Sequence, residues 1–251
     1  MNRSNQSAGG FAAKPVRPGR AFEGVILQIR QAMVEGRLGL GDRLPHEREL
    51  ATRFAVSRQS VREALRMLEG FGLLSARRGV GPESGWIVTD DGGAGLSVLL
   101  DMYASVQRIS VWDTLEIRES LEMLSARGAA VGASAEEKAA LVAMAHAMEH
   151  VTGSGEYLAC DTDFHVAIAT RSGNALAPLF MSAIRDAMAR VMLTASRALP
   201  DWPAERALLT SDHIQIATLI EAGNGEAAAQ ALSAHIRGFY GRWLKDAPPR
   251  S

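Results

Sequence analysis

A chain of 251 residues with 47% hydrophobic and 22% charged residues carries enough apolar material for two folded domains and too much for a disordered polymer. No apolar run reaches the roughly 18 residues that span a bilayer, and the segment MNRSNQSAGGFAAKPVRPGR lacks the apolar centre of a secretory signal, so the cytoplasm is expected, without a membrane partner. The net charge of −1 conceals a division: residues 1 to 90 hold 14 Lys and Arg against 9 Asp and Glu, and the remainder 13 against 19, giving +5 and −6. A basic N-terminal third suits a polyanion, and the acidic remainder argues against a molecule that simply coats nucleic acid.

Residues 1–20, rich in Gly, Ser, Asn, Pro and Arg without apolar periodicity, are expected to form a disordered arm. From Phe22, the positions Val25, Ile26, Ile29, Met33 and Val34 recur at helical spacing and stop at Gly36 and the Gly39–Asp42 turn. The stretch from Leu44 to Leu74 then reads as two short helices around a tight turn. The first begins near Glu47, behind Pro45, and runs through Leu50, Ala51 and Phe54. The second is capped by Ser57, with Val61, Ala64, Leu65 and Leu68 on its apolar face. Its other face carries Arg58, Gln59, Ser60 and Arg62 in the first turns. These side chains, placed at the start of a recognition helix, can reach base edges in a major groove; arginine bonds guanine bidentately and glutamine bonds adenine. A solvated polar face is the plainer reading of such residues taken alone.

The surrounding sequence, LPHERELA, then VSRQSVREAL, then LEGFGLL, resembles the DNA-binding domain of the GntR family of bacterial winged helix-turn-helix regulators over roughly residues 21–90. The resemblance implies a β wing in RRGVGPESGWIV, with the strand-like Trp86, Ile87 and Val88. It also implies a DNA-contacting set of Arg48, Ser57, Arg58, Gln59, Ser60, Arg62, Arg77, Arg78 and Gly79. His46 stands where the family usually has a small hydroxyl residue.

Thr89 to Gly93 is the clearest boundary, followed by a linker and connecting helix over 91–108. Beyond it strand signals vanish and helical segments follow one another near 95–107, 111–131, 135–151, 155–171, 175–198, 203–222 and 225–246. Helices with short connections imply an antiparallel bundle, taken as a second domain over 109–247. The fold class is therefore mainly α: an N-terminal winged helix-turn-helix with a small β wing, and a C-terminal all-α antiparallel helical bundle. The lone Cys160 is expected to be a buried, inert thiol. Met181, Met188 and Met192 read as core.

Ionisable residues interrupt the apolar stripes of this bundle. Asp161 and His165, four apart, share a face with Leu158 and Ile168; His213 lies with Leu209, Ile216 and Ile220; His235 lies with Ala228, Ala231, Leu232 and Phe239. One inward histidine is ordinarily a hydrogen-bonded core residue. Three with an aspartate fit a divalent metal, zinc foremost, with nickel, manganese or iron as alternatives. His146 and His150 have the same four-residue spacing but fall on the polar side of their helix.

DTDFH followed by histidines in the last two helices resembles the FCD effector-binding domain of the FadR-like branch of the GntR family, in which the positions matching Asp161, His165, His213 and His235 bind a metal. Within EIRESLE, Arg118 matches an arginine that faces the ligand cavity in relatives; a surface ion pair with Glu122 is its other reading. The resemblance implies a homodimeric repressor that reads a palindromic operator in double-stranded DNA and responds to a small organic or sugar acid. A metalloenzyme using the His/Asp site, or a regulator whose metal is only structural, are the competing functions; the expectation is a protein that is not an enzyme.

Overall fold

The computed structural model describes residues 21–77, 85–89, 92–105, 110–198 and 201–243. The chain divides into two compact units, residues 1–95 and 96–251. The expected arm at 1–20 lies outside the described residues.

In the first unit, α1 (Ala21–Val34), α2 (Glu47–Phe54) and α3 (Arg58–Gly70) precede two strands, β1 (Leu74–Arg77) and β2 (Gly85–Val88). The strands pair antiparallel from Leu74 opposite Val88 to Arg77 opposite Gly85. Val25 and Ile29 of α1, Leu50 and Phe54 of α2, and Val61, Leu65 and Leu68 of α3 bury fully or nearly so against Leu74 and Val88. Burial of this kind contributes about 1.5–3 kcal/mol per large side chain, so the apolar periodicity and not intrinsic propensity fixes the helices. α2 ends on Ala55, a non-glycine residue in the left-handed region at φ 55° and ψ 44°. Val56 follows and its amide reaches back to Ala51 O at 3.1 Å. Ser57 then caps α3, its Oγ accepting from the amide of Ser60 at 3.0 Å.

The second unit is a helical bundle. α4 (Gly92–Ser105) leads into it, followed by α5 (Val111–Gly132), α6 (Ala135–Ala147), α7 (Ser154–Thr170), α8 (Ala177–Ala198), α9 (Trp202–Glu221) and α10 (Gly225–Trp243). Capping boxes start α5 (Ser110 with Asp113) and α6 (Ser134 with Glu137), satisfying amides that have no intrahelical partner. α6 stops at Ala147, earlier than its periodicity predicts, and a short 3-10 turn, Met148–His150, completes the segment. α5 and α10 pack closely: a Cβ on Gly225 would stand 3.0 Å from Arg127 Cα and 3.2 Å from Ala130 Cβ. Gly128 is tighter still, with Ser172 O 2.3 Å from where its Cβ would be. Cys160 is half-buried, not fully buried, because it sits at the margin of the inward face of α7.

Candidate metal centre and nucleic-acid interface

Beyond the Ser57 cap, the polar side of the first turns of α3 faces solvent. Arg58, Gln59 and Arg62 are exposed, Ser60 half-buried, and Arg48 and Arg77 are exposed on α2 and β1. His46, Arg48, Arg58, Arg62 and Arg77 border one open groove. Arg62 donates from Nε (3.1 Å) and NH2 (2.8 Å) to Oε2 of Glu47, and Gln59 Nε2 donates to Glu63 Oε1 at 3.0 Å. His46 occupies the N-cap of α2 without a side-chain cap bond, which a hydroxyl there could have made. Arg78 and Gly79 lie outside the described residues.

In the bundle, helical spacing on α7 brings Asp161 and His165 to one inward face; α9 adds His213 and α10 adds His235. All four are buried, none more than 5% exposed, and each offers a ligating atom within 4.8 Å of the others. Asp161 Oδ1 lies 3.1 Å from His213 Nε2 and 3.5 Å from His165 Nε2. Yet both those Nε2 atoms make no hydrogen bond, while Asp161 Oδ2 is turned to Arg185. Buried polar atoms without partners are costly, and donors that converge without bonding one another are what a shared cation requires.

The opposite nitrogens of the histidines are engaged outward. His235 Nδ1 is 3.1 Å from Asp212 Oδ2, His213 Nδ1 is 3.4 Å from the Tyr157 hydroxyl, and His165 Nδ1 abuts Glu122 Oε2 without a well-angled hydrogen bond. Such partners fix a metal-ligating imidazole in orientation and tautomer. Burial, reinforced by neighbouring positive groups, depresses His213 well below the ordinary histidine range; burial, opposed by Asp212, brings His235 down to about 4. Both rings are neutral at neutral pH, the form that ligates metals. The donor set therefore fits a divalent ion.

Around these four residues lies a layer of charge that sequence reasoning largely missed. Arg118 is buried, donating from Nε to Glu122 Oε1 at 2.6 Å and from NH1 to the Tyr240 hydroxyl at 2.7 Å. The pair with Glu122 therefore exists, but inside the bundle and not on a helix surface. Burial opposes ionisation of Glu122, while Arg118, His165 and Arg185 outweigh it and hold the carboxyl well below its usual range. Arg185 of α8 completes the layer: NH1 is 3.5 Å from Glu122 Oε1 and NH2 abuts Asp161 Oδ2. Arg185 lies on the stripe of Met181, Met188 and Met192, all buried. An arginine in register with three core methionines was the signal available. His146 is exposed and pairs with Glu149 at 3.2 Å, and His150 is exposed too, so neither approaches the cluster's environment.

A family model described as bacterial regulatory proteins, gntR family, matches residues 22–83, and one described as the FCD domain matches residues 113–238. The putative L-lactate dehydrogenase operon regulatory protein of Escherichia coli (strain K12) is 30% identical over 223 residues, 88% of this chain and 85% of that one. The Uxu operon transcriptional regulator of the same organism is 30% identical over 235 residues, 90% of this chain and 88% of that one. Among solved structures, Streptococcus agalactiae GntR superposes with a TM-score of 0.63 at 23% identity, covering 87% of this chain and 98% of that chain, a likeness of fold.

Proposed function

Because the chain belongs to the GntR family of bacterial regulatory proteins and carries an FCD domain, we propose that it represses transcription as a homodimer on a palindromic operator, with a metal-dependent response to a small organic or sugar acid. It is a ligand-responsive, DNA-binding transcriptional regulator, and its relatives are regulators and not enzymes. The observation that carries the finer reading is the buried convergence of Asp161, His165, His213 and His235, with ligating atoms left without hydrogen bonds. A divalent ion held by these four residues, zinc foremost, supplies a Lewis-acidic point for a carboxylate. Glu122, engaged by Arg118, Arg185 and His165, has no free role as a general base, which weighs against the metalloenzyme reading.

Arg118 is the proposed effector-responsive arginine. Through Tyr240 it ties α5 to α10, and through Glu122 it touches the His165 side of the centre. An acid that binds there acts by its different affinity for the two arrangements of the regulator, not by contact with DNA. A relative's name refers to an L-lactate dehydrogenase operon, which supports a small acid here. Arg48, Ser57, Arg58, Gln59, Ser60, Arg62 and Arg77, with Arg78 and Gly79 of the wing, are the proposed DNA contacts. Exposed apolar residues support the homodimer: Ile117, Leu124 and Val131 recur every seven residues on α5, and Val98, Leu99, Met102 and Tyr103 cluster on α4. Among the described residues no helix is long and apolar enough to cross a membrane, and the cytoplasm is the proposed compartment.

The test is elemental analysis of purified wild type, His235→Ala and His146→Ala, followed by operator gel shifts with carboxylates before and after chelation. Metal in wild type and His146→Ala but not in His235→Ala, with an acid response that chelation abolishes, is expected. Equal metal content in all three would reject the centre. An acid response that survives chelation would leave the metal a structural staple.

A further inference from the structure

The helices α2 and α3 share an ion pair that local helix geometry does not create. Arg53 with Glu49 and Gln59 with Glu63 are partners four residues apart on one helix, the ordinary pairing of an exposed face. Arg62 of α3 instead reaches fifteen residues back to Glu47 of α2, donating from Nε at 3.1 Å and from NH2 at 2.8 Å to one carboxylate oxygen, Oε2. Both ends stand on rigid elements. Glu47 opens α2, whose Leu50 and Phe54 are fully buried, and Arg62 lies between the fully buried Val61 and Leu65.

With side chains 48% and 26% exposed, Arg62 and Glu47 form a pair of the kind that adds little to stability. The pair also sets a carboxylate on the wall of the groove that Arg48, Arg58, Arg62 and Arg77 line, where it repels a phosphate backbone. Folding gains little from such a residue, and binding to a polyanion suffers from it. Its use lies in geometry. Guanidinium offers two edges to a planar partner, Nε with NH2 and NH1 with NH2. Glu47 takes the first. The second stays open, and its parallel N–H groups match the O6 and N7 acceptors of guanine. Holding the side chain in place before DNA arrives also removes part of the entropy lost when a long arginine is ordered.

We propose that Glu47 is a positioning residue for sequence recognition: it presents the NH1–NH2 edge of Arg62 to one guanine of the operator, lowering affinity for DNA in general while raising discrimination at that base pair. The inference rests on the reading of α3 as the recognition helix and names what sets its specificity.

The experiment selects bound sequences from a library of randomised DNA duplexes with the full chain as wild type, Arg62→Ala, Glu47→Ala and Glu47→Gln. Fluorescence anisotropy at fixed salt then gives the affinity of each for the duplex that wild type selects, for that duplex with one G·C pair changed to A·T, and for a scrambled duplex. The pair changed is the one whose guanine wild type prefers and Arg62→Ala does not. Glu47→Ala should lose about tenfold of the discrimination at that pair alone, the scale of a bidentate base contact, while binding the scrambled duplex more tightly than wild type. Glu47→Gln, which keeps an acceptor without the charge, should retain part of the discrimination. Undiminished discrimination in Glu47→Ala overturns the positioning role. A loss spread evenly over all selected positions overturns it too, because that is the mark of a residue that only starts α2. If Glu47→Ala does not fold, Glu47→Gln decides, and discrimination equal to that of wild type overturns the proposal. A selected sequence that Arg62→Ala leaves intact overturns the guanine contact without removing Arg58 and the rest of α3 from the interface. Wild type that selects no sequence removes the recognition-helix reading as well.

Discussion

Replacing Arg118 by Met is expected to destabilise the helical unit strongly, although methionine is apolar and fits a helix. The guanidinium is 3% exposed in its side chain and the carboxylate of Glu122 2%, and the two are joined at 2.6 Å. Removing the closest partner of such a pair leaves Glu122 out of water with Arg185 at 3.5 Å and His165 as its remaining partners, at a cost of up to about 3–5 kcal/mol. The lost hydrogen bond to Tyr240 falls within that figure. For a unit of this size each kcal/mol moves the melting temperature by a few degrees, so Arg118→Met should melt roughly 6–20 °C lower. The second half of the experiment is Arg118→Met combined with Glu122→Gln. This removes both charges and leaves Arg185 opposite Asp161, so the double variant should be more stable than Arg118→Met alone. Thermal unfolding followed by circular dichroism on metal-stripped protein checks both. A loss below about 1 kcal/mol, as for a surface ion pair, or a double variant less stable than the single, would refute the account of a charge-coupled interior.

Arg58→Ala and Arg62→Ala should each weaken operator binding by about 1–3 kcal/mol while leaving the melting temperature unchanged, because both side chains are exposed. Gel-shift affinities equal to wild type for both would remove α3 from the interface. Gly128→Ala should destabilise the bundle by about 1–3 kcal/mol because its Cβ would stand 2.3 Å from Ser172 O, a backbone atom that cannot step aside alone. Gly132→Ala meets nothing within 4 Å and should be neutral or stabilising by about 0.5–1 kcal/mol, so calorimetric melting of the two variants separates close packing from helix propensity.

The sequence made the helices legible because apolar periodicity reports burial directly: the inward positions of α3, α7 and α9 follow from spacing alone. It also indicated which histidines face inward, since His146 and His213 differ only in the face they share with their neighbours. The ends of elements were less legible, as at α6, where the chain tightens into a 3-10 turn at Met148 that periodicity cannot distinguish from continued helix. The charged layer was hardest to read. Arg118 and Glu122 look like an ordinary exposed pair four residues apart, and only the packing of α10 and its Tyr240 against them reveals burial. Asp212 precedes His213 on α9 yet serves His235 on α10, a relation made by tertiary structure and carried by no local pattern.

The distribution of the four proposed ligands over the helices also sets an order of assembly. Asp161 and His165 come together as soon as α7 winds, since four-residue spacing makes them neighbours without any tertiary contact. His213 and His235 lie on consecutive helices joined by a tight turn at Gly223, at φ 75°, so a second pair forms when that helical hairpin closes over a small loop. Joining the halves demands a contact between distant parts of the chain, the slow kind of step in folding. On the proposed metal reading, an ion present during refolding is captured first by either two-residue half. Completion of the proposed set then marks the moment at which the last two helices, packed on α5 and α6, bring their histidines to Asp161 and His165 of α7.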